Sequence, residues 1–78
     1  MDRQQIEAVV MAVLATVLKC EIGLDVSRKN TPHWDSLKHI EVIFAVEDEL
    51  GFQFSEEELA SLNSVTKIVD LSLNRNAT

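Results

Sequence analysis

Tyrosine is absent from this 78-residue chain, and its aromatic residues are three phenylalanines and one tryptophan. There is one cysteine, so no internal disulfide can form, and nothing else in the sequence points to an oxidising compartment. A lone Cys20 at the end of an apolar segment reads as a packed or partly exposed thiol rather than a reactive one. Basic residues are scarce too: seven against thirteen acidic ones, for a formal net charge of −6. Such a field repels phosphate backbones and anionic lipid and favours basic protein surfaces, so no nucleic-acid partner is expected. The longest apolar run, AVVMAVLATVL at 8 to 18, is too short to span a bilayer. It also fits a signal peptide poorly. Asp2 and Glu7 stand before it, and Lys19 occupies the place where a lipoprotein cleavage site wants a small residue. The expectation is a soluble, cytoplasmic protein that does not insert into membranes.

A chain of this length accommodates one small domain, here 1–78, and buries only about 60% of its unfolded surface. That leaves little room for a deep catalytic cavity beside a core, which lowers the expectation of an enzyme. No internal repeat or low-complexity segment is present. Ile6, Val9, Val10, Val13, Leu14, Val17 and Leu18 follow the i, i+3, i+4 spacing, which predicts an amphipathic helix over 3–18. Asp2 is its N-cap, with Gln5 in the capping-box position. From Lys19 to Trp34 no period survives, and Gly23, Asn30 and Pro32 punctuate the stretch. A connection that long needs anchors, for which Ile22, Leu24, Val26 and Trp34 are the candidates. Asp35 and Ser36 are both good N-cap residues for a second helix that runs to Leu50 and stops at Gly51. Ser55 with Glu58 forms a capping box for a short third helix at about 56–62. Ser64 caps a fourth through Val65, Ile68, Val69 and Leu71, and 74–78 reads as frayed. The fold class expected is all-α, with helices I, II and IV in a bundle and a short helix III across it.

The second helix is apolar on two sides. At about 100° per residue and with Leu37 at zero, Ile40 and Phe44 lie within about 60°, whereas Val42, Ile43, Val46 and Leu50 fall between about 140° and 240°. The second group carries no charge and suits the core. The first is rimmed by acid: Glu41 and Asp48 lie within about 40° of it and Glu47 borders the other flank. Either the third helix or the long loop covers Leu37, Ile40 and Phe44, or these residues form a docking face whose carboxylates steer toward a basic partner. Glu47, Asp48 and Glu49 oppose the macrodipole at the helix C-terminus, which suggests another use for them.

Asp35-Ser36-Leu37 at the start of an acidic helix, followed by EDELGF, a capped short helix and a last helix opening SVTKIVDL, resembles the acyl carrier proteins. These are the phosphopantetheine-binding four-helix family, and the likeness extends over nearly the whole chain. It implies that Ser36 is where a separate phosphopantetheinyl transferase attaches 4′-phosphopantetheine from coenzyme A. The arm's thiol then holds an acyl or aminoacyl group as a thioester. The likeness also implies that Asp35 helps present the serine. Leu37, Ile40, Glu41, Phe44, Glu47 and Asp48 are then the residues that meet loading and acyl-using enzymes, with the carrier itself a monomer that performs no chemistry. Trp34 before D-S-L and His39 after it give a W-D-S-L-x-H pattern, which resembles specialised carriers rather than housekeeping fatty-acid members. Fatty-acid, polyketide, amino-acid and lipid-modification pathways all use this architecture.

The same residues contain the elements of other chemistries. His33, Asp35 and Ser36 include the residue types of a hydrolase triad, yet sequence neighbours seldom reach the in-line geometry, and no oxyanion loop is evident. Cys20, His33 and His39 match no metal-ligand spacing, so no metal is expected. His39, near 200° on the helix wheel, reads as packed or hydrogen-bonded on the core side. The rival to a carrier is an armless interaction module with the same fold, in which Ser36 is only a helix cap.

Overall fold

The structure, a computed structural model, is described for residues 2–76. It contains four α-helices: α1 (Arg3–Leu18), α2 (Ser36–Leu50), α3 (Glu56–Ser61) and α4 (Val65–Asn76), with a 3-10 turn at Arg28–Asn30 between the first two. Each helix begins where the sequence supplies a cap. Asp2 accepts from the Gln5 amide and Gln5 returns the bond to the Asp2 N–H. Ser55 and Glu58 form the same reciprocal pair ahead of α3, and the Ser64 hydroxyl accepts the Lys67 N–H at 3.2 Å. Such pairs satisfy amides that a helix's first turn leaves without partners. α2 ends on Gly51 with φ +78°, a left-handed turn that glycine adopts without strain.

α1 packs against both α2 and α4, and the core lies along that junction. Ile6, Val10, Leu14 and Leu18 come from α1, Val42, Ile43 and Val46 from α2, and Val65, Ile68 and Val69 from α4. Leu62, Phe54 and Trp34 close its ends. The buried stripe of α1 is narrower than its periodicity suggests. Val9, Val13 and Val17 are only half-buried and, with the exposed Ala8, Ala12 and Thr16, line one wall of an open groove of about 480 Å³ against α2.

The long connection is pinned rather than free. An isolated antiparallel bridge joins Ser27 to Ser64, with Arg28 N–H on the Asn63 carbonyl at 2.9 Å and Val65 N–H on the Val26 carbonyl at 3.0 Å. Trp34 is buried, and Ile22 and Val26 pack against the core. Leu24 does not serve as the fourth anchor: it is 44% exposed at the loop's turn, where the backbone leaves the bundle. Two boundaries also differ from expectation. α3 stops at Ser61, with Leu62 turned inward to fill the core, and residues 74–76 continue α4 instead of fraying. Arg75 holds that last turn through the Gln53 carbonyl and the Glu58 carboxylate. Residues 77 and 78 lie outside the described part. No helix among the described residues is long and apolar enough to cross a membrane.

Candidate functional site

Asp35, not Ser36, caps α2. Its backbone is extended, and its Oδ1 accepts the Lys38 N–H at 2.9 Å while its carbonyl accepts the His39 N–H at 2.8 Å. Ser36 is therefore the first helical residue. It is exposed, and its hydroxyl is not spent on capping. The N–H groups of Ser36 and Leu37 precede the first intrahelical bonds, so the positive end of a 15-residue helix surrounds that hydroxyl.

Next to Ser36 the apolar stripe is uncovered. Leu37 is 67% exposed, Ile40 48% and Phe44 61%, while neither α3 nor the loop lies over them. Glu41 and Asp48 stand exposed along its edge, with Glu41 in contact with Lys38 Nζ at 3.5 Å. Of the expected rim, Glu47 departs most. It is half-buried, and its Oε2 accepts the Phe54 N–H at 2.6 Å, joining α2 to the segment before α3.

On the inner side of the same turn lies an arrangement that helical periodicity placed but could not specify. His39 is 7% exposed and Trp34 2%. Trp34 Nε1 donates to His39 Nδ1 at 3.0 Å, and His39 Nε2 lies 2.7 Å from the Leu59 carbonyl on α3. The rings are 5.9 Å apart at 33°. Arg28 Nε donates to the Trp34 carbonyl at 3.2 Å from the far side of the loop. His39 is thus hydrogen-bonded inside, as its wheel angle suggested, while its two partners, 5 and 20 residues away, left no sequence signal.

The structure does not assemble His33, Asp35 and Ser36 into a catalytic relay, because the Asp35 carboxylate is committed to the Lys38 amide and His33 is exposed. Nor do the histidines converge, since both ring nitrogens of His39 are engaged inside the bundle. Cys20 is a half-buried free thiol packed against the core.

No family model matches the chain. Among curated proteins, an acyl carrier protein of Coprothermobacter proteolyticus is 31% identical over 74 residues, covering 91% of this chain and 90% of that protein. Acyl carrier proteins of Buchnera aphidicola subspecies Acyrthosiphon pisum and Schizaphis graminum are each 40% identical over 42 residues, or 54% of this chain. The chain spans about half the length of those two, 52% and 53%. The four helices, the exposed serine after Asp35 and a relative matched along nine-tenths of both chains lead to one conclusion: this chain belongs to the acyl carrier protein family.

Proposed function

We propose that the protein is a cytoplasmic, monomeric carrier that performs no chemistry of its own and holds acyl or aminoacyl intermediates on a 4′-phosphopantetheine arm at Ser36. The observation that carries this is an exposed serine hydroxyl at the positive end of α2, left free because the preceding aspartate does the capping. The residues fit the group. A phosphodiester on Ser36 would face two amides without intrahelical partners and gain roughly 0.3 to 1 kcal/mol from the helix end. Exposure also opens the hydroxyl to a transferase. When attached, the arm supplies a terminal thiol that holds the cargo as a thioester.

Delivery falls to the uncovered face. Leu37, Ile40 and Phe44 supply apolar contact, and Glu41 and Asp48 steer toward basic surfaces on partner enzymes. Glu47 contributes to the same field while holding Phe54. Asp35 orders the turn that presents the serine.

The test is intact mass before and after incubation with coenzyme A, Mg²⁺ and a broad-specificity phosphopantetheinyl transferase, with Ser36→Ala alongside. Gain of one phosphopantetheine by the parent chain alone is the expected outcome. No gain on folded protein with several transferases would leave an armless interaction module with the same fold.

A further inference from the structure

An indole N–H can only donate, so the 3.0 Å contact from Trp34 Nε1 requires an unprotonated Nδ1 on His39. The proton of the neutral ring then sits on Nε2, and the Leu59 carbonyl 2.7 Å away accepts it. The partners thereby fix both the charge state and the tautomer. The ring spans three segments: the end of the loop through Trp34, the first turn of α2 through its own backbone, and the end of α3 through Leu59. α3 is six residues long, and at its end the Leu59 carbonyl accepts the Leu62 N–H at only 3.4 Å, so the closer His39 ring is its better donor.

Trp34 is two residues before Ser36 and His39 three after it, so the clasp brackets the serine. The main chain of Trp34 is held as well, its N–H on the Thr31 carbonyl at 3.0 Å and its carbonyl under Arg28 Nε. Fixing the indole therefore fixes the chain that leads into Asp35 and the exposed serine. We propose that His39, clasped between Trp34 and α3, is a positioning residue for the loading of Ser36. This inference rests on Ser36 being the attachment site.

The experiment measures the initial rate of coenzyme-A-dependent mass gain for the parent chain, His39→Gln, His39→Leu and Trp34→Phe, each shown by circular dichroism to be folded. Glutamine keeps one acceptor and one donor, so His39→Gln should load within about twofold of the parent chain, whereas His39→Leu and Trp34→Phe should lose about fivefold or more in kcat/KM. Val69→Ala, a core change on α4 away from the clasp, controls for lost stability alone and should load at the parent rate despite a lower urea midpoint. Folded His39→Leu that loads at the parent rate, or an equal loss in Val69→Ala, would overturn the proposal. If no chain gains mass, the assignment of Ser36 fails and this inference with it. Mass gain at one rate by all the chains removes the inference alone.

Discussion

A hydroxyl buried without a partner costs about 1 to 3 kcal/mol, and the Ser72 Oγ on α4 is fully buried and unbonded among the described residues. Ser72→Ala is expected to stabilise the fold by about 1 kcal/mol, read as a higher urea midpoint at unchanged slope. A lower midpoint would mean that the hydroxyl has a use in the folded state. The two left-handed helix ends give a paired expectation. Lys19 closes α1 at φ +57° and Gly51 closes α2 at φ +78°. Lys19→Gly should stabilise and Gly51→Ala destabilise, each by about 1 kcal/mol. Nothing lies within 4 Å of a Cβ placed on Gly51, so the cost there is torsional alone. Equal midpoints for Gly51→Ala and the parent chain would refute that account. Between Asp35 and Ser36 the sequence offers two capping side chains of similar quality. The carboxylate takes the Lys38 amide, and the serine is left outside.

Among the α-helices, α3 is the shortest, and side-chain contacts hold both its ends. The His39 ring reaches its Leu59 carbonyl, Ser55 and Glu58 cap each other at its start, and Glu58 pairs with Arg75 at the far end of α4. The hydrogen bond from Arg75, reinforced by the Ser55 backbone, lowers the Glu58 carboxyl from an ordinary 4.5 to about 2. A depressed carboxyl adds stability above its unfolded value, and that stability disappears as the pH falls through the folded one. Melting temperature should therefore drop between about pH 4.5 and about pH 2. Glu58→Gln should show a shallower drop there, and identical slopes would remove the pair from the acid response. Helix positions and capping boxes were legible in the sequence because they depend on residues three or four apart. The register of Val42, Ile43 and Val46 against the core came from the same local periodicity. Links such as Glu47 to Phe54, Arg75 to Glu58 and Ser27 to Ser64 were not legible, since each depends on where distant segments meet. Glu47 shows what that hides, because a residue read as a surface carboxylate also caps the segment before α3.

For the whole molecule, the excess of acid is carried on α2 and through α3, where Glu56 and Glu57 are exposed beside Glu58. Reversing Glu41 and Asp48 together to lysine should slow turnover by a partner enzyme about tenfold at low ionic strength and leave the circular dichroism unchanged. Unchanged turnover would contradict the docking role. Glu47 is a poor choice for that experiment because its replacement also removes the acceptor of the Phe54 amide. Of the candidate site, the serine and the flanking stripe were readable from residue order, whereas the exposure that separates a docking face from a covered one needed the packing of α3. The bridge between Ser27 and Ser64 bears on how the protein withstands proteolysis. Its neighbour Arg28 is a tryptic position in the long connection, and its N–H, carbonyl and guanidinium are all hydrogen-bonded. A protease must hold some residues on either side of the cut in extended form, so cleavage there waits for the bridge to open. After Arg28, the connection is cut only as fast as Ser27 and Ser64 part.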